Sequence, residues 1–86
     1  MPKRRRYTLT RDRTPYPSLH PRRGVVSWEG LTIREVGMAV AFTAYDNLAQ
    51  SKERSAAYGL EAEAALRGGG TYQLGIFMFT TTLEEA

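Results

Sequence analysis

The stretch Thr32-Ile33-Arg34-Glu35-Val36-Gly37-Met38-Ala39-Val40-Ala41-Phe42-Thr43-Ala44-Tyr45-Asp46-Asn47-Leu48 carries the clearest structural signal in the chain. Thr32 is a good N-cap, and Glu35 three residues on completes a capping box, in which each side chain satisfies an orphan amide of the first turn. At about 100° per residue, Ile33, Val36, Val40, Ala44 and Leu48 share one face, which predicts a helix with that face in the core. Met38, Phe42, Tyr45 and Ala49 form a neighbouring apolar face, leaving a narrow polar wedge of Glu35, Thr43, Asp46 and Gln50. So wide an apolar surface exceeds what a small body covers by itself.

Downstream, the polar run Gln50 to Ser55 predicts a turn or kink, followed by an Ala-rich helix from about Glu53 to Arg67. A single continuous helix is the alternative, since Tyr58, Ala62 and Leu66 extend the first stripe in register. Gly68-Gly69-Gly70 stops the helix, because glycine adopts left-handed backbone without steric cost. The order helix, glycines, strand is the reverse of a phosphate-binding loop, so these glycines read as a connection. From Tyr72 to Thr82 the pattern predicts a C-terminal strand with apolar residues on both faces. Upstream, Val25-Val26-Ser27-Trp28 reads as a short strand closed by the turn-forming Glu29-Gly30.

The first 23 residues read differently. Four Pro and seven Arg with almost no apolar period predict an extended basic arm, stiffened by the Pro-containing run from Thr14 to Pro21. Through Arg23 there are eight basic residues against Asp12 alone, a charge of +7; from Gly24 onward four basic face eight acidic residues, a charge of −4. The expected organisation is therefore a basic arm over 1–23 and a small α+β body over 24–86. The body comprises a short strand, one long or two consecutive helices and a C-terminal strand. A body of some sixty residues has a thin stability margin, and a two-stranded sheet is marginal alone, so completion by oligomerisation or a partner is expected.

Arginine dominates the strongest chemical signal. Lys3, Arg4, Arg5, Arg6, Arg11, Arg13, Arg22 and Arg23, with Tyr7 as a stacking platform, suit a DNA or RNA backbone, because guanidinium forks match phosphate oxygens and release counterions. The expected function is a non-enzymatic nucleic-acid-associated accessory or packaging-type protein, cytoplasmic or within a nucleoprotein particle, that forms a homo-oligomer or joins a larger assembly. The alternative is a protein-binding assembly or inhibitor module, such as a small phage or virion component, docking through Met38, Phe42, Tyr45, Phe77 and Phe79. A third reading rests on element order: basic arm, strand, helix, helix resembles the ribbon-helix-helix repressors, and implies a dimeric ribbon in the DNA major groove. Val25, Val26 and Trp28 are apolar where such ribbons present base-reading residues.

Catalysis is not expected. His20 sits among prolines with no second titratable group to orient it. Glu35 and Asp46 are separated by about 16 Å along a helix, beyond the roughly 5 to 9.5 Å of paired catalytic carboxylates. With no Cys and one His, neither a metal nor another cofactor is expected. The run Val36 to Tyr45 is about half of the roughly 20 apolar residues that span a bilayer, so no membrane insertion is expected.

Overall fold

The computed structural model describes residues 5–13 and 25–84. They fold as β1 (Tyr7–Arg13), β2 (Val26–Leu31), α1 (Ile33–Asn47), α2 (Lys52–Leu66), β3 (Gly70–Leu74) and β4 (Phe77–Leu83). All strand pairs are antiparallel in one sheet of order β2-β1-β4-β3. The class is α+β, with the helices on one face of the sheet.

The expected arm is corrected over Tyr7–Arg13. This segment pairs with β2 on one side and with β4 along its whole length on the other, Tyr7 opposite Leu83 and Arg13 opposite Phe77. Its alternation explains why: Tyr7 and Leu9 face the helices at 1% and 0% exposure, while Thr8, Thr10 and Asp12 fall on the opposite face. The remaining arm residues, 1–4 and 14–23, lie outside the described residues.

Two further expectations are revised. β2 runs past Glu29 and Gly30 to Leu31, because its register with β1 shifts between Tyr7 and Leu9. Gly30, at φ +72°, absorbs that irregularity instead of ending the strand. The single C-terminal strand is a hairpin, β3 and β4 joined through Gly75 and Ile76 with Leu74 opposite Phe77. Gly75 has φ +58°, as tight two-residue hairpin loops require at their first position.

The first helix forms as its caps dictate. Thr32 Oγ1 accepts from the Glu35 amide at 3.2 Å, and the Thr32 amide donates to Glu35 Oε1 at 2.9 Å. Those bonds hold the Glu35 carboxyl below its ordinary pKa, the Thr32 backbone contribution being the largest. The helices are two, separated by Leu48–Ser51, with Ala49 at φ +53° and the Ser51 hydroxyl accepting from the Arg54 amide.

Between helices and sheet lies one core, with Val36, Val40 and Ala44 of α1 and Ala62 and Leu66 of α2 above Tyr7, Leu9, Leu74, Phe77 and Phe79. Two polar side chains that enter it from the sheet are bonded. Thr81 Oγ1 donates to the Leu66 carbonyl at 2.9 Å, and the Gly68 amide donates to the Tyr7 hydroxyl at 3.0 Å, so the sheet closes the C-terminal end of α2. Glu84 ties the edge strand down. Its carboxylate accepts from the Gly30 amide at 2.6 Å and from Thr8 Oγ1 at 2.9 Å, which lowers its pKa, Gly30 first and Thr8 second.

Candidate docking surface and basic cluster

Small residues bring the two helices together. They run antiparallel with Gly37 against Gly59 and Glu63, and Gly59 against Gly37 and Ala41. A Cβ added at Gly37 would stand 2.8 Å from the Gly59 carbonyl oxygen, and one added at Gly59 would stand 2.8 Å from that of Gly37. Backbones this close leave no room for a side chain at either glycine. Larger neighbours are therefore turned outward, and they gather beside it.

The result is an exposed apolar groove of about 360 Å³, bordered by Met38, Ala41, Phe42 and Tyr45 of α1 and by Ser55 and Ala56 of α2, with Lys52 at one end. Met38, Phe42 and Tyr45 are 50%, 60% and 48% exposed. Leu60, 68% exposed, stands one turn beyond Ala56 on the same row of α2 and lengthens the strip. Below, Ser55 is buried and its hydroxyl has no hydrogen-bond partner.

Comparison with known protein families, curated proteins and solved structures finds no match.

Of the five residues expected at a protein interface, the structure brings Met38, Phe42 and Tyr45 together. Phe77 and Phe79 it places elsewhere. Strand alternation turns both toward the helices, where they are 4% and 0% exposed, so they are core residues. Leu60 was not apparent from the sequence because it falls outside the Tyr58, Ala62, Leu66 stripe.

The expected nucleic-acid set is dispersed. Tyr7 is buried and hydrogen-bonded through its hydroxyl, so its ring is not a stacking platform. Arg11 is drawn inward, with its guanidinium carbon 5.0 Å from the Phe77 ring centroid and 5.8 Å from that of Trp28, while Nη1 donates to Thr43 Oγ1 at 3.0 Å. Cation–π contact compensates in part for the buried, unpartnered Nε. Arg6 Nη1 donates to the Gly30 carbonyl at 3.2 Å. Arg13 ends β1, and Lys3, Arg4, Arg22 and Arg23 lie outside the described residues.

Arg5 is different. It shares a shallow pocket of about 400 Å³ with Arg34 and Arg67, floored by Tyr7, Thr32 and Ile33. Three arginines from three separate segments thus line one pocket, Arg34 near the start of α1 and Arg67 at the end of α2. Neither Arg34 nor Arg67 stood out in the sequence, being isolated among acidic neighbours. Arg67 has a loose contact with Glu63 at 4.0 Å.

Among the described residues no helix is long and apolar enough to cross a membrane, and no group of three or more His, Asp or Glu side chains is arranged to hold a metal ion.

Proposed function

We propose that this chain is a non-enzymatic docking module that binds a protein surface through the outer face of its helical hairpin. The observation that carries this reading is the grouping of Met38, Phe42 and Tyr45, each about half exposed or more, along one groove. Single exposed apolar residues are ordinary on any protein. A contiguous strip beside a preformed concavity is the usual mark of a contact site, and aromatic residues dominate the energetics of such sites.

A second reading rests on the Arg5, Arg34, Arg67 cluster, which suits phosphates of DNA or RNA. Lys3 and Arg4 precede it directly in the chain. One experiment separates the two. A photo-crosslinking amino acid is placed at Phe42 and, in a second variant, a photoactivatable lysine analogue that keeps the positive charge is placed at Arg67; both are irradiated in the producing cell. Protein adducts at position 42, absent from a control probe at Thr80 on the polar face of the sheet, are the expected result. Nuclease-sensitive adducts at position 67 without protein adducts at 42 would favour the second reading, and no adduct at either position removes both.

A further inference from the structure

The outer row of α1 is self-complementary in shape and charge. Residues four apart lie in line along a helix, so Arg34, Met38, Phe42 and Asp46 form one row, and all four are exposed. The row is symmetric in shape about the level of Val40 and opposite in charge at its two ends. Met38 and Phe42 lie two residues either side of Val40; Arg34 and Asp46 lie six either side.

Those charges are out of place in a lone helix. The N-terminal end of a helix is electropositive and the C-terminal end electronegative, so Arg34 in the first turn and Asp46 in the last each oppose the dipole of α1. Neither has an ion-pair partner among the described residues. A second α1 laid antiparallel across the first removes both conflicts together: Asp46 of each copy then stands beside Arg34 and the helix N-terminus of the other. Met38 of each copy faces Phe42 of the other, a favourable thioether–aromatic contact.

We propose that the occupant of the docking face is a second copy of this chain, paired about a two-fold axis at the level of Val40 with α1 antiparallel to α1. The proposal rests on the docking reading above and names its partner. The contact is isologous, so it closes at two copies. Side chains of this size, half to two-thirds exposed, supply on the order of 400 Å² of apolar surface per copy. Alanines of the neighbouring α2 row and the stems of the charged residues add to this, giving a dimer at or below the usual size of about 800 Å² per partner. Such an interface dissociates on dilution.

Sedimentation equilibrium on the full chain, over a range of concentrations at low salt, tests this. The mass is expected to rise from 9.7 kDa to twice that value. Arg34→Asp and Asp46→Arg each create two like-charge encounters across the axis and are expected to weaken association at least tenfold, while the double exchange restores it to within a few-fold of the original. Phe42→Glu is expected to hold the protein at monomer mass, with its circular dichroism spectrum confirming the fold. A monomer at every concentration up to about 1 mM, or a double exchange no stronger than the singles, overturns the self-pairing. In that event protein adducts at position 42 of other than twofold mass leave the docking reading standing, and the absence of any adduct removes that reading as well.

Discussion

A chain that begins at Thr14 is expected not to fold. Removing residues 1–13 deletes β1 from the middle of the sheet, which among the described residues takes from β2 its only partner and from β4 one of two. It also empties the sites of Tyr7 and Leu9, both essentially without solvent exposure. Truncating one buried aromatic or leucine side chain to alanine costs about 2–5 kcal/mol, and the loss here is of two such side chains together with every hydrogen bond of a central strand. Whole domains are stable by only about 5–15 kcal/mol. Far-UV circular dichroism of the shortened chain should therefore resemble an unfolded polypeptide. A helix-rich spectrum with a cooperative thermal transition would mean that residues 1–13 are dispensable, as an arm would be.

Gly37→Leu is expected to come next in severity. The added side chain has to enter a seam where even a Cβ stands 2.8 Å from the Gly59 carbonyl and 2.7 Å from Glu63 Cγ. The Glu63 side chain can swing aside, whereas the carbonyl moves only if α2 moves with it. Helix propensity acts in the other direction, because replacing glycine inside a helix gains up to about 1 kcal/mol. Overpacking costs roughly 1–3 kcal/mol for small intrusions and more for a branched side chain. The balance predicts a loss of about 1–2 kcal/mol for Gly37→Ala and of at least about 3 kcal/mol for Gly37→Leu, read from urea unfolding midpoints. If Gly37→Ala stabilised the protein, the helices would not be in backbone contact at this position.

Local signals were legible where one segment contained all the information. The Thr32 and Glu35 capping box, the core face of α1 and the glycines that end α2 each depend on neighbours in sequence, whereas the turn expected over Gln50 to Ser55 lies earlier, at Leu48–Ser51, because Ser51 caps α2 and Lys52 to Ser55 are helical. The apolar overhang of Met38, Phe42 and Tyr45 was legible for the same reason, since periodicity alone separates it from the core face. β1 was hidden by composition. Tyr7, Leu9 and Arg11 alternate with Thr8, Thr10 and Asp12 as a half-buried strand should, but arginine occupies the third inward position. Its burial becomes acceptable only once Trp28 and Phe77 are brought to it from two other strands.

The C-terminal hairpin leaves a trace in the sequence that resembles a single two-sided strand. Apolar residues on both faces of one strand, Tyr72 and Leu74 in one phase and Phe77 and Phe79 in the other, are a single phase reversed across Gly75 and Ile76. A turn reverses the phase in this way, and the glycine marks its place. Arg34, Leu60 and Arg67 were out of reach of pattern reading, because the roles assigned to them depend on how two helices pair.

Built into the sheet, Tyr7–Arg13 leave the outer face of the helices as the main exposed apolar surface among the described residues. Amide hydrogen exchange on the intact chain measures this directly, since a strand paired on both sides opens only with the whole sheet. The amides within Tyr7–Arg13 are predicted to be among the slowest in the protein, exchanging together with those of Phe77–Leu83. Exchange of Tyr7–Arg13 at the rate of an unstructured peptide, while α1 and α2 stay protected, would contradict it.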